Sequence, residues 1–373
     1  MQKSWLSDAV MYHVLIDRFY GTSMIDADKP VFAGGTIAGI LEKLDYIQSL
    51  GVNCLWISPF YKGVSYHGYH IIDYYGVDEH FGTIEDLENL IKSVHQKGMK
   101  IIADLVPNHS SVNHPYFVDA KKNRKSKYRN WFYFNDSNDD YLSFLGFKEL
   151  AKINLDDTNA KKYFIENTLF WLNKGFDGFR IDHIIGVSRL FLAELHEAVK
   201  FQDQNAILIG EAWIEGIRRN VFNTIRIRHS LFHKYFGISQ ENVQRQYDGL
   251  IDGVLDFEAR NIILKMFLEE NKTENEILKA LTKHFKRYSK KFSVVLFLDN
   301  HDTNRIMYEC GNDLEKVKRL LSILKKCLKP MVFYSGTEQA LTHSESIFSG
   351  KHYADLDVRQ PMNWNKRNTI LKF

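Results

Sequence analysis

The chain has 373 residues, 45% hydrophobic and 25% charged, with 49 basic and 46 acidic side chains for a formal charge of +3. This is the composition of a soluble globular protein with a sizeable core, and the near-balance of charge gives no footing for nucleic acid or an anionic membrane as partner. No apolar run approaches membrane-spanning length, the amino-terminal MQKSWLSDAVMYH lacks the apolar stretch of a leader, and Cys54, Cys310 and Cys327 have spacings that suggest neither disulfides nor a thiolate metal site, so reduced, buried thiols in a cytoplasmic protein are expected.

Along the chain, apolar β-rich segments alternate with helical patterns. The first strand is predicted at VMYHVLI near Val10, followed by a helix over TIAGILEKLDYIQSLG, Thr36 to Gly51. Strands at NCLWIS near Cys54 and KIIADLV near Ile101 flank a second helix, TIEDLENLIKSVHQKG, Thr83 to Gly98. Residues 106–154 are too long for a loop and rich in Asn, Ser, Tyr and Lys, which suggests a small inserted domain, with the main body formed by 1–105 and 155–373. Within the insertion, the basic run KKNRKSKYRN, Lys121 to Asn130, reads as a solvated loop rather than a docking patch. A third helix, NAKKYFIENTLFWLNKG (Asn159 to Gly175), precedes strands at GFRID near Phe179, AILIGEA near Ile207, DGVLDF near Val254, SVVLFLD near Val294 and PMVFYS near Val332. Each of the three helices opens on a Thr or Asn suited to capping and closes on a Gly. Eight strands separated by helices imply parallel crossovers, and the count favours an eight-stranded parallel β/α (TIM) barrel over a doubly wound sheet.

On such a barrel, functional side chains lie at the carboxyl ends of strands. That rule selects Asp104 with Asn108 and His109 after the third strand, Arg180 and Asp182 after the fourth, Glu211 after the fifth, and His301 with Asp302 after the seventh. Arg180 and Asp182 are two apart in a strand and share a face, so the guanidinium is expected to keep the carboxylate ionised. A structural ion pair would explain that couple alone. Carboxylates from four strands at one mouth oppose folding through mutual repulsion and make little sense as packing.

Four short motifs, DLVPNH (Asp104 to His109), GFRIDH (Gly178 to His183), GEAW (Gly210 to Trp213) and DNHD (Asp299 to Asp302), occur in this order. Together with YHGYHIIDYYGVDEHFG (Tyr66 to Gly82) and DLDVR (Asp355 to Arg359), they resemble the α-amylase family of retaining α-glucan hydrolases and transglucosidases from about Ala9 to Trp364. The resemblance implies Asp182 as nucleophile, Glu211 as acid/base and Asp302 as the group that stabilises the transition state through the sugar. It also implies that His67, Tyr69, Asp355 and Arg359 hold the sugar beside the scissile bond, that His109 and His301 donate hydrogen bonds to its hydroxyls, and that Asp104 orients Arg180. Glu211 is expected to have a raised pKa beside the neighbouring anions.

No cofactor is implied and no zinc pattern is present. Many family members bind calcium through the asparagine that corresponds to Asn108 and an aspartate near the end of the inserted domain. In this chain that stretch reads LAKIN (Leu150 to Asn154), with Lys152 where the acidic ligand would stand, so calcium at the usual family site is doubtful. A lysine there is similar to the neopullulanase and cyclomaltodextrinase branch. Only NKRNTILKF follows Trp364, so a stunted eighth helix and no C-terminal β-sandwich are expected. Self-association over the uncovered surface is the corresponding expectation, and a monomer in sedimentation across a wide concentration range contradicts it. The substrate implied is an α-glucan. Transglucosidase action on the same machinery and a non-catalytic carbohydrate-binding barrel are the alternatives, the latter disfavoured by the presence of all three acids.

Overall fold

Eight parallel strands form one sheet: β1 Val10–Val14, β2 Cys54–Ile57, β3 Lys100–Leu105, β4 Gly178–Ile181, β5 Ile207–Gly210, β6 Gly253–Leu255, β7 Ser293–Val295 and β8 Met331–Tyr334. They come from a computed structural model that describes residues 4–22, 29–135, 137, 140–214, 239–351, 353–365 and 371. The strands pair in chain order from β1 to β7, and β8 lies on the free side of β1. A parallel bridge between Leu296, just past β7, and Met331 brings β7 to β8 and completes the ring. All eight predicted strands are present.

The alternation of side chains divides the core in two. Met11, Cys54, Trp56, Ile102, Ile207, Ile209, Leu255, Val295 and Val332 form one cluster inside the ring. Their neighbours Tyr12, Leu55, Ala103, Phe179, Leu208, Val254, Val294 and Phe333 belong to the larger cluster beneath the helices. This period of two decides where the polar residues go. Asp104 follows Ile102, Glu211 follows Ile209, and Arg180 lies in register with Asp104, so all three project inward at the carboxyl end.

The first helix is interrupted at Lys43, giving Ile37–Glu42 and Leu44–Ser49, with Thr36 capping Gly39 as expected. Helix Ile84–Gln96 starts at a capping box between Thr83 and Asp86. The third helix starts earlier than predicted, at Thr158, because the Asp157 carboxylate and not Asn159 accepts from the first-turn amides. A charged acceptor next to a run of free N–H groups outcompetes the neutral amide.

Between β3 and that third helix the chain builds a three-stranded antiparallel sheet from His109–Ser111, Ser143–Phe144 and Phe147–Lys152, with helix Pro115–Lys122 beside it. Residues 121–130 are mostly exposed, as a solvated basic segment should be, although the run begins inside the last turn of that helix. All three cysteines are free, and Cys54 and Cys310 are buried. Cys327 departs from the expectation: it is only partly buried, because it terminates helix Leu314–Lys326 next to the exposed Leu328. No helix among the described residues is long and apolar enough to cross a membrane. The remnant predicted at 365–373 falls mostly outside the described residues.

Candidate active site

Arg180 is wholly buried and is the junction of the site. Its Nη1 donates to Asp182 Oδ1 at 2.8 Å and to Asp104 Oδ1 at 3.2 Å. Its Nη2 approaches Glu211 Oε1 to 2.6 Å as an ion pair, without the alignment of a hydrogen bond. Asp104 is held on its other sides by the Trp56 indole N–H at 3.2 Å and the Tyr69 hydroxyl at 2.5 Å. Asp104 therefore orients Arg180, as the sequence suggests. Both remaining carboxyls, Asp182 and Glu211, are 6% exposed.

Local backbone explains how Glu211 reaches this place. Its amide donates to Ile181 O at 2.9 Å, its carbonyl accepts from Ile184 N at 3.1 Å, and its Oε2 accepts from His183 N at 3.1 Å. His183 adopts a left-handed conformation with φ 44°, uncommon for a residue with a Cβ, and the turn aims its N–H at the carboxyl. The backbone at Gly210 passes close to two side chains, and a Cβ there would lie 2.3 Å from Ile184 Cδ1 and have to displace it.

The other wall is a second chain of contacts. Tyr69 OH meets His301 Nε2 at 2.8 Å, and the same nitrogen meets Asp302 Oδ2 at 2.9 Å. Arg359 donates to Asp302 Oδ1 at 2.7 Å, to Asp355 Oδ2 at 2.6 Å and to the His301 carbonyl at 2.8 Å. His67 accepts from the Tyr69 amide at 3.2 Å. His109 lies beside Asn108 and stacks on Phe144 with ring centroids 4.4 Å apart. Tyr69 joins the two walls by contacting both Asp104 and His301, so ten of the eleven predicted residues form one connected set. His109 contacts the remaining wall made by the small antiparallel sheet.

The carboxyls fall into two electrostatic classes. Burial pushes Asp182 well above the usual carboxylate range, against the pull of Arg180 and with added repulsion from Glu211, Asp104 and Asp302. Glu211 is raised too, by burial first and then by Asp302, with Arg180 and His301 opposing. The expectation that Arg180 would hold Asp182 as an anion is corrected here: the pull exists, but desolvation outweighs it. The pair thus keeps a proton to a higher pH than two isolated carboxyls would. Asp302 behaves oppositely, since despite burial the charges of His301, Arg359 and Arg180 hold it far below its ordinary value. Burial also depresses His67 and His109 well below 6.5, so both are neutral and able to donate and accept.

Three carboxyls from three strand ends meet at the barrel mouth, two held by Arg180 and the third by Arg359 and His301. Comparison with known proteins agrees: the family described as "Alpha amylase, catalytic domain" matches residues 13–140 and 132–370. The chain belongs to the α-amylase family. It is similar to Alpha-amylase 2 of Dictyoglomus thermophilum, 32% identical over 371 residues, which are 97% of this chain and 60% of that protein. Cyclomaltodextrinase of a Bacillus species is 28% identical over 386 residues, 97% of this chain and 63% of that protein, in keeping with the branch suggested by Lys152. The chain thus spans 60% and 63% of these two curated relatives. Among solved structures, the ligand-free cyclic α-maltosyl-(1→6)-maltose hydrolase from Arthrobacter globiformis shares the fold, with a TM-score of 0.80 at 23% identity over 98% of this chain and 80% of that one.

In this α-amylase-family barrel the Lys152 side chain has a definite position. Antiparallel pairing sets Lys152 opposite His109. From there its buried ammonium donates to Asn108 Oδ1 and to the Gly186 carbonyl. Burial lowers its pKa to about 7, with the Asp156 charge opposing.

Several contributors were not singled out from sequence. Trp56 reads as a core aromatic in a strand, yet its indole orients Asp104. Tyr66 lies within a quoted motif, and its hydroxyl bridges Asp355 and Arg359 at 3.2 Å each. His183 acts through a backbone N–H, which carries no side-chain signal at all.

Proposed function

We propose that the chain is a retaining glycoside hydrolase cleaving α-1,4-glucosidic bonds in maltodextrins, starch or cyclodextrins. The supporting observation is that one guanidinium fork separates Asp182 from Glu211 at the barrel mouth. Such a short spacer suits retention, in which the two carboxyls lie about 5 to 5.5 Å apart and leave no room for an attacking water between them. Of the two ways to place one proton on the pair, the reaction uses the one with the proton on Glu211 and the charge on Asp182, where the aligned hydrogen bond from Arg180 offsets part of the desolvation. Asp182 then attacks the anomeric carbon while Glu211 protonates the departing glycosidic oxygen, and a covalent glucosyl–Asp182 ester forms. In the second half Glu211, now anionic, takes a proton from water, which attacks the same carbon and releases Asp182 with α stereochemistry retained. Asp302, fixed as an anion by Arg359 and His301, accepts hydrogen bonds from sugar hydroxyls that strengthen as positive charge develops. His67, Tyr69, Asp355 and Arg359 hold the same ring. The three free thiols favour a reducing, cytoplasmic setting.

Incubation with maltotriose, starch, pullulan and cyclodextrins in parallel tests this reading. Shorter products with the α anomer released first are expected, longer oligosaccharides would point to transfer, and no turnover of any substrate would contradict it.

The residues at the usual calcium position do not fit the ion. The Lys152 amine occupies the Asn108 oxygen to which the resemblance assigns the ion, is held there by the Gly186 carbonyl as well, and supplies no oxygen ligand of its own. The protein's Tm is therefore expected to be the same in calcium and in chelator, whereas Lys152→Asp should make Tm rise with calcium concentration. A fall in the Tm of the unaltered protein on chelation contradicts this assignment.

A further inference from the structure

We propose that Gln240 is a positioning residue for Glu211, an inference that rests on the reading of Glu211 as the acid/base. Past Glu211 the chain leaves the barrel at Ala212, Trp213 and Ile214, none of which lies in a strand. Gln240, 3% exposed, opens the short helix Gln240–Arg245, and its side-chain amide clamps that departing segment. Its Oε1 accepts from Ile214 N at 2.9 Å, while its Nε2 donates to the Ala212 carbonyl and to Gln244 Oε1, the latter at 2.8 Å.

The clamp is itself anchored. Gln244 is fully buried, donates to Asp256 Oδ1 at 2.9 Å and to Tyr288 OH at 3.0 Å, and accepts from Glu258 N at 3.0 Å. Asp256 follows β6 and meets His284 Nε2 at 2.9 Å from helix Glu274–Phe285. A continuous buried polar path therefore runs from the outer helices to the backbone on either side of Trp213, beginning at the residue next to the acid. Buried primary amides are costly unless every group is matched, and here Gln244, matched by Asp256, Tyr288 and Glu258 N, fixes Gln240, which reaches the segment after Glu211. A general acid must stay within hydrogen-bond reach of the leaving oxygen, and a misplacement of about 1 Å can cost ~10²-fold in rate.

Leaving-group dependence separates positioning from simple support. Cleavage of maltotriose needs a proton on the departing oxygen, whereas maltosyl fluoride expels fluoride without one. For Gln240→Leu, similar in volume but unable to make these bonds, kcat/KM on maltotriose is expected to fall ~10²-fold while that on the fluoride stays within about threefold. Gln240→Glu, which keeps the acceptor for Ile214 N and loses the donor to Ala212, should show the same split at smaller size and serves if the leucine variant does not fold. Equal losses on both substrates, or none, overturn the inference. Glu211→Gln is the control: if it fails to discriminate between the two substrates, the acid/base reading itself is wrong, whatever Gln240 does.

Discussion

Asp182→Asn is expected to reduce turnover of maltotriose by about four orders of magnitude or more, the scale seen when a covalent nucleophile is removed, while raising thermal stability at pH 7. The first effect follows because an amide cannot form the glucosyl ester. The second follows from the electrostatics. The folded pKa of Asp182 lies well above its unfolded value, so its contribution is fully favourable only below the unfolded pKa, near 4, and is lost as pH rises through the folded one. Above the unfolded pKa the group must either hold its proton or ionise beside Glu211, Asp104 and Asp302, and both oppose folding. Asparagine keeps the shape and removes the charge. Each pKa unit of elevation corresponds to about 1.4 kcal/mol, or roughly 2 °C in Tm for a chain of this length. The Tm difference between variant and parent should shrink toward acid pH, and calorimetry across pH 4 to 8 reads it. A variant less stable than its parent at pH 7 would contradict the electrostatic account even with activity lost.

Arg180→Leu should be the most damaging single change to the fold among the site residues. It removes the one cation that, among the described residues, contacts all three buried carboxyls Asp104, Asp182 and Glu211. Breaking a buried ion pair by deleting one partner costs about 3 to 5 kcal/mol, so a Tm drop of roughly 4 to 6 °C is expected for a chain of this length. Arg180→Lys distinguishes charge from shape. Lysine restores the charge but not the planar fork that reaches Asp182 and Glu211 through different nitrogens. The expected outcome is a protein near parental stability whose kcat is about 10²-fold lower with KM little changed. Near-parental activity in the lysine variant would mean that the fork is not the spacer between the acids.

Much of this architecture is legible in the sequence, for physical reasons visible in particular residues. The strands announce themselves because each is a short, mostly apolar run whose side chains alternate between two environments, Ile102 inward and Ala103 outward being one instance. The same parity predicts that Asp104, Arg180, Asp182 and Glu211 share the interior. Less legible is everything that depends on which distant backbone arrives. Lys152 can be read as unfit for calcium, but its contact with Gly186 is created by the turn after β4. Gln240 lies in the polar stretch SQENVQRQ, where nothing distinguishes a buried clamp from a solvated side chain. The balance at Asp182 is not legible because sequence shows the neighbouring arginine and hides the desolvation supplied by the rest of the barrel. Asn159 looked like a cap because Asp157 two residues earlier offered the same signal.

The central claim, a covalent intermediate on Asp182 completed by Glu211, is tested most directly by trapping. A 5-fluoro-α-glucosyl fluoride carries a leaving group that departs readily and a ring fluorine that slows the second step, so the ester should accumulate. Mass spectrometry of the intact chain should show one added sugar, and digestion should localise it to the peptide bearing Asp182. A label on another residue, or steady turnover of maltotriose by Asp182→Asn, would contradict the account.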